Sequence, residues 1–178
     1  VWGGTTSTTG STTLHEIKDF SGWIHLALTF DGRYSRLYIN GSNDLNIGDD
    51  DTSGTQVVDT GGTGRVIQYG SNTAVQIGAD TNSATDETTV HTHLIGGFVD
   101  EVAIWDAAVD ADGITKIYNV GKPGLDLTSA NGDYDNQGDL QGYWKFNEGT
   151  GTTVADSSSN SNTGTFRNSP SWVKTTHR

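Results

Sequence analysis

Short stretches of alternating apolar and polar residues are separated by long polar segments along this chain. Residues 23–30 (WIHLALTF) alternate with a period of two, which predicts a β-strand. Asp31-Gly32 then predicts a turn, residues 36–40 (RLYIN) a second strand, and Asn40-Gly41 a further turn. The two strands are expected to pair as a hairpin, followed by a polar loop over residues 42–64.

The alternation divides the first strand into two faces. One face carries Ile24, Leu26, Leu28 and Phe30, and the other carries Trp23, His25, Ala27 and Thr29.

Further strands are predicted at residues 96–105 (GGFVDEVAIW) and 140–146 (LQGYWKF). In the first of these, Asp100 and Glu101 are neighbours and are expected on opposite faces. Shorter, more polar strand candidates lie at the ranges 56–59, 66–69 and 74–78.

One helix is predicted, over residues 110–119. Asp110 has the side chain of an N-cap, and Ile114, Ile117 and Tyr118 are spaced to bury one helical face. Gly121 and then Pro123 are stop signals.

Composition agrees with many short strands joined by loops. The 178 residues include 24 Gly, and only 32% are hydrophobic. This length suits one domain, or one domain with a partial second. Repeated helices between the strands are missing, so the predicted fold class is all-β, an antiparallel β-sandwich with one short helix.

Net charge limits the partners. A charge of -12 repels nucleic acid and anionic membrane surfaces. No apolar run approaches the about 20 residues that a membrane span needs, so membrane insertion is not expected. The same carboxylates attract hard cations such as Ca²⁺. There is no Cys, so the redox compartment is not indicated.

The beginning of the chain differs from the rest. Residues 1–22 are rich in Thr, Ser and Gly and are predicted to be a leader, a linker or a long surface loop. The sandwich is assigned to residues 23–178. Because the chain starts at Val1 and contains no Met, processing or truncation before Val1 is expected.

Four segments together resemble one family of domains: WIHLALTFDG (23–32), LYING (37–41), FVDEVAIWDAAV (98–109) and YWKFNEGTGTTVADSSSNSNTGT (143–165). They look like the laminin G-like, concanavalin A-like jelly-roll domains. The resemblance implies a jelly-roll sandwich that recognises glycans or proteins without catalysis, in an extracellular setting. A looser similarity, carried by YDNQGDLQGYWKF, is to virion proteins of tailed phages.

The order of these segments departs from the family. Residues 140–172 resemble the block that normally opens such a domain, yet here they follow the other segments. Either this block starts a following domain, or it folds back and completes the sandwich as a permuted strand. We expect the second: residues 143–146 should pair with residues 98–105 and bring Asp156 near the edge of that sheet.

Asp156 is the main candidate for chemistry. In the family that the chain resembles, a structural Ca²⁺ is often held at this position. Asp156, Asn160 and Asn162 would supply part of an oxygen shell, completed by Asp100 or Glu148 from a neighbouring strand. The alternative is an Asx-turn, in which Asp and Asn only bond nearby backbone amides.

Catalysis is disfavoured. Glycoside hydrolases with concanavalin A-like folds hold paired carboxylates at alternating strand positions, whereas Asp100 and Glu101 are adjacent. The resemblance to laminin G-like domains therefore implies a non-catalytic recognition or adhesion module for a glycan or surface protein. The first alternative is a structural or decoration protein of a virus particle, in contact with other copies of itself; the second is a glycoside hydrolase.

Overall fold

The computed structural model of the protein describes residues 22–32, 35–46, 75–80, 93–94, 96–120 and 124–174. These ranges contain nine strands: β1 (Leu26–Phe30), β2 (Ser35–Ile39), β3 (Ser42–Asn46), β4 (Ala79–Asp80), β5 (His93–Leu94), β6 (Val102–Trp105), β7 (Leu140–Trp144), β8 (Thr153–Val154) and β9 (Gly164–Thr165). They also contain one α-helix, α1 (Ala111–Val120), and a 3-10 helix (Asn136–Asp139). The described chain is thus all-β with one short α-helix, as predicted. Neither helix in these ranges has the length and apolar character to cross a bilayer.

Strands β1, β2 and β3 form an antiparallel sheet in that order, which confirms the predicted hairpin. Between β2 and β3, Asn40 and Gly41 both have positive φ, 51° and 78°. This is the type I′ conformation, which an Asn-Gly pair favours and which matches the twist of the flanking strands. The predicted loop over residues 42–64 is wrong in its first part, because the turn returns Ser42–Asn46 to the sheet as β3. The strand candidates at 56–59 and 66–69 and the segment 1–21 lie outside the described residues.

The face of this sheet that carries the smaller side chains of β1 is turned to the core. Ala27 and Tyr38 are cross-strand partners, and both pack in the core cluster. On the opposite face of β1, Leu26 and Leu28 are 46% and 67% exposed. The core therefore lies on the Ala27 side of the sheet.

Strands β6 and β7 pair antiparallel, with Val102 opposite Trp144 and Ala103 opposite Tyr143. The predicted pairing of the C-terminal block with the segment around residues 98–105 is thereby confirmed. The single predicted strand over 96–105 is wrong before Val102, because Glu101 has a φ of 53° and interrupts the extended backbone.

A second strand prediction also fails. Residues 75–78 are not in a strand, and the short strand β4 begins only at Ala79 and pairs with β5. Val75 is 62% exposed, and Gly78 has a φ of 83°, so the backbone bends where an extended strand was expected.

The predicted helix is present as α1. Asp110 caps it, with Oδ1 accepting a hydrogen bond of 2.8 Å from the backbone N–H of Gly113. Ile114 is buried as predicted. Tyr118 is not, being 41% exposed, although its ring lies 5.9 Å from the ring of His25. Gly121 and Pro123, predicted to end the helix, lie outside the described residues.

One buried cluster joins the hairpin, the helix and the C-terminal block. Its buried members are Tyr38, Val109, Ile114, Leu125, Leu127, Tyr134, Leu140 and Tyr143. Tyr134 is fully buried, and its hydroxyl donates to the carbonyl of Leu127 at 2.8 Å and accepts from Trp105 Nε1 at 3.1 Å. Because its polar atom has two partners, this large side chain can be buried without an unsatisfied group. Leu140 and Tyr143 of β7 belong to this cluster, so the strand that carries the candidate site is anchored in the core.

Candidate functional site

Residues 156–162 (DSSSNSN), here called the polar loop, lie along the edge of β7 that β6 leaves open. Asp156 holds the loop in place. Its Oδ1 accepts hydrogen bonds of 2.8 Å from the backbone N–H groups of Tyr143 and Ser158. Its Oδ2 accepts from the backbone N–H of Asn162 at 2.7 Å and from Ser158 Oγ at 2.8 Å. One carboxylate thus joins the strand to both ends of the loop.

The carbonyl oxygen of Gln141 is the second anchor. The side-chain amides of Asn160 and Asn162 donate to it at 3.1 Å and 3.0 Å, and Ser158 Oγ lies 3.3 Å away. Asn160 also donates to the side-chain oxygen of Gln141 at 3.2 Å. Sequence reasoning missed Gln141, because a backbone carbonyl is supplied by every residue type and leaves no signal in the sequence.

Trp144 supports the loop from inside. Its indole N–H donates to the carbonyl of Asn162 at 2.8 Å, and its ring is buried. A side chain on Gly142 would meet this ring, since a Cβ there would lie 2.5 Å from Cη2 of Trp144. The glycine in LQGYW therefore makes room for the indole that holds the loop.

The hydrogen bonds at Asp156 set its charge state. Partial burial alone would raise the pKa of Asp156. The donors from Tyr143, Ser158 and Asn162 outweigh this effect and hold the pKa below its ordinary value. Asp156 is therefore ionised at neutral pH, and its charge is balanced by oriented N–H and O–H dipoles.

Four of the five residues predicted to bind Ca²⁺ lie close to one another in this part of the chain. Besides Asp156, Asn160 and Asn162, Glu148 is near, since its Oε1 accepts a hydrogen bond of 2.8 Å from the backbone N–H of Ala155. Asp100 precedes β6, which pairs with the other edge of β7.

The arrangement has the form of an Asx-turn, the alternative drawn from the sequence, because Asp156 Oδ1 accepts from the N–H of residue 158. Each oxygen of Asp156 already has two donors, so these residues as they stand do not form a calcium shell. In the described ranges, no three acidic or histidine side chains meet in a group that could hold a metal ion. A calcium ion at Asp156 would have to replace backbone donors, and its binding stays a prediction.

On the other side of β7, Tyr143 joins the strand to Glu101. Its hydroxyl donates to the carboxylate of Glu101 and lies 3.3 Å from the carbonyl of Leu125. Burial, and then the hydrogen bond and charge of Glu101, raise the pKa of Tyr143. Glu101 is also the residue whose positive φ interrupts the extended backbone before β6. Asp100 and Glu101 therefore do not occupy alternating positions of one regular strand, as the sequence had predicted.

Three tryptophans in the described part of the chain are used mainly for packing. Trp144 is buried, and Trp105 packs edge-on against Tyr134 at 6.4 Å. Trp172 stacks on Phe166 with ring centroids 5.0 Å apart, and its N–H donates to the carbonyl of Gly151. Their polar edges are thus bound within the protein.

No protein-family model, curated protein or solved structure matches the chain.

Proposed function

We propose that the chain is a laminin G-like, concanavalin A-like jelly-roll module that recognises a glycan or protein partner on a cell or particle surface without catalysing a reaction. The observation that carries this proposal is the polar loop, a segment of hydroxyl and amide groups held on β7. Binding residues are often found on loops that a rigid scaffold positions. The resemblance of four sequence segments to the family supports the same function.

The polar loop has the properties of a preorganised recognition surface. Its backbone is fixed through Asp156, and the exposed Asn160 and Asn162 donate their side-chain N–H groups to Gln141. Their side-chain oxygens can accept hydrogen bonds from sugar hydroxyls or from peptide N–H groups. Because the loop is already ordered, a partner would not have to supply the free energy that ordering costs.

Two carboxylates near β7 support the non-catalytic part of the proposal. Glu101 is engaged by the hydroxyl of Tyr143, and Asp156 by four donors. A glycosidase needs two carboxyl groups that face one bond across a cleft, one of them free to give up a proton. Neither of these carboxylates is free in that way.

The test is binding of the chain to an array of glycans and to immobilised surface proteins. A double variant, Asn160→Ala with Asn162→Ala, should lose binding, whereas Asn147→Ala, an exposed Asn outside the loop, should not. Absence of binding to every glycan and protein tested would refute the proposal. So would binding that the double variant leaves unchanged.

The same binding experiment, repeated with EDTA and with added Ca²⁺, tests the calcium site. If Ca²⁺ completes the site, chelation with EDTA lowers both binding and the unfolding temperature, and added Ca²⁺ restores them. If the four donors to Asp156 suffice, EDTA changes neither. The outcome decides between the calcium site and the Asx-turn proposed from the sequence.

A second candidate function is a structural or decoration protein of a virus particle. The exposed Leu26 and Leu28 on β1 favour it, because apolar groups on a sheet face gain from burial against another copy. Analytical ultracentrifugation of the chain and of Leu28→Ser tests it. A single monomeric species at all concentrations would remove this candidate.

A further inference from the structure

The sequence contains two Asn-Gly pairs, Asn40-Gly41 and Asn131-Gly132, and the fold gives them different surroundings. An Asn side chain loses ammonia most readily before glycine, because glycine has no side chain to hinder attack by its own backbone nitrogen on the Asn carboxamide. In a folded chain, the hydrogen bonds and the packing around each pair decide whether this attack can take place.

The first pair is held in place. The side-chain oxygen of Asn40 accepts a hydrogen bond of 3.0 Å from the backbone N–H of His25. The backbone N–H of Asn40 donates to the carbonyl of His25 at 2.9 Å. Gly41 is buried, and its carbonyl accepts a hydrogen bond of 3.0 Å from Thr115 Oγ1 of α1. A reaction at Asn40 would first have to break the side-chain bond and disturb a turn that is packed against the helix.

The second pair is open to water. Asn131 and Gly132 are both exposed, and among the described residues the carboxamide of Asn131 has no hydrogen-bond partner. The pair begins a tight turn, in which Asn131 and Tyr134 exchange backbone hydrogen bonds of 2.8 Å and 3.3 Å. Gly132 has a φ of 62°, as glycine has at the first central position of a type II′ turn. The carboxamide is therefore free to meet the nitrogen of the next residue.

Lys116 of α1 brings a positive charge to this turn. A Cβ placed on Gly132 would lie 3.6 Å from Nζ of Lys116. The backbone nitrogen of Gly132 attacks after it has lost its proton, and a nearby ammonium group favours the negative charge that results. The charge of the lysine therefore promotes attack on the carboxamide of Asn131.

We propose that Asn131 is a site of spontaneous deamidation in the folded chain, whereas Asn40 is protected. The backbone nitrogen of Gly132 gives its proton to a base in the solvent and forms a bond to Cγ of Asn131. The carboxamide nitrogen leaves as ammonia, and a cyclic imide remains. Water then opens the imide. Breaking the bond between the nitrogen and Cγ gives Asp, and breaking the original peptide bond gives isoaspartate.

The isoaspartyl product changes the turn as well as its charge. Its main chain runs through Cβ and Cγ, so a methylene group is inserted between residue 131 and Gly132. The backbone hydrogen bonds to Tyr134 then lose their register. Tyr134 is fully buried, and its hydroxyl bonds to Leu127 and Trp105, so the longer turn disturbs the core. This modification goes beyond the proposed function, because it does not depend on any partner of the polar loop.

The experiment incubates the full chain in mildly alkaline buffer, with and without urea. Mass spectrometry of peptides follows each Asn-Gly pair separately, and an isoaspartate-specific methyltransferase detects the rearranged product. In the folded chain, Asn131 should react about tenfold faster than Asn40, because Asn40 must first lose its bond to His25 and its turn must open. In urea, the two pairs should react at similar rates, because neither is then held by the fold.

Variants test the environment of the turn. Lys116→Gln should slow the reaction at Asn131 about threefold, since a single charge at short range has an effect of this size in water. Asn131→Gln should remove the isoaspartate signal, because the longer side chain closes a ring far more slowly. Asn131→Asp carries the new charge on an ordinary main chain. The isoaspartyl form should therefore unfold at lower urea concentration than freshly prepared Asn131→Asp.

Several results would overturn the inference. Equal rates at the two pairs in the folded chain would do so, as would a faster reaction at Asn40. A reaction at Asn131 that occurs in urea but not in the folded chain would show that the turn protects this residue. An unchanged rate in Lys116→Gln would refute the contribution of the lysine, and an isoaspartyl form as stable as Asn131→Asp would refute the coupling of the turn to Tyr134.

Discussion

Removing the carboxylate of Asp156 is the sharpest test of how the C-terminal block is held together. In Asp156→Ala, three backbone N–H groups and the hydroxyl of Ser158 lose their acceptor. The four donors differ in their access to water. Tyr143 is 2% exposed, so water reaches its N–H poorly, whereas Ser158 is half-buried and Asn162 exposed.

The size of the effect follows from this difference. An unsatisfied N–H that water reaches poorly costs about 1–3 kcal/mol, and each bond that water replaces costs about 0.5 kcal/mol. Together these contributions lower the free energy of unfolding by about 2.5–4.5 kcal/mol. In a chain of this size, the unfolding temperature should fall by about 5–18 °C.

Urea unfolding, followed by circular dichroism and tryptophan fluorescence, measures the loss. Asp135→Ala is the matched control, because Asp135 is exposed and its side chain caps no helix. Asp156→Asn should fall between the two, since it keeps one acceptor oxygen but turns an N–H₂ group toward the donors of Asn162 and Ser158. A loss below about 0.5 kcal/mol in Asp156→Ala would refute the role assigned to this carboxylate.

The pH dependence has a definite sign. Because the pKa of Asp156 is lowered on folding, its contribution to stability is fully present above the ordinary value of 3.8. It is lost as the pH falls below that value toward the pKa of the folded state. Asp156→Asn should therefore flatten the stability curve in this acidic range, and an unchanged curve would contradict the hydrogen-bonded geometry.

Three further perturbations test separate parts of the fold. Burial lowers the pKa of His25, whose Nδ1 has no partner, so stability should fall as the pH drops below 6.5; His25→Phe should remove that part of the slope, seen in urea midpoints across the pH range. Gly142→Ala should cost about 1–3 kcal/mol by pressing on Trp144, whereas Gly138→Ala, with open space around its Cβ, should be nearly neutral in the same unfolding assay. Asp110→Ala should cost about 1 kcal/mol by removing the cap of α1, and an unchanged unfolding midpoint would show that the cap does not contribute.

The features that the sequence predicted well depend on local chemistry. The Asn40-Gly41 turn and the Asp110 cap each need only a few neighbouring residues, and their conformations follow from the residue types present. The Asx-turn at Asp156, one of two alternatives, is local in the same sense. The pairing of β6 with β7 was predicted from family resemblance and not from periodicity.

The features that the sequence missed depend on distant partners. Strand β6 begins at Val102 because Glu101 turns out of the extended conformation, and its carboxylate meets Tyr143, 42 positions later in the chain. Similarly, the side-chain amides of Asn160 and Asn162 donate to the backbone carbonyl of Gln141. Every residue type has this carbonyl, so the sequence does not indicate which one accepts these hydrogen bonds. Side-chain identity predicts which hydrogen bonds are possible, whereas the tertiary fold decides which of them form.

The orientation of β1 also depends on residues that are distant in the sequence. Leu28 is 67% exposed and Thr29 only 6%, although Leu is the more hydrophobic residue type. The smaller side chains face inward because Tyr38, the cross-strand partner of Ala27, packs in one cluster with Val109 and Ile114.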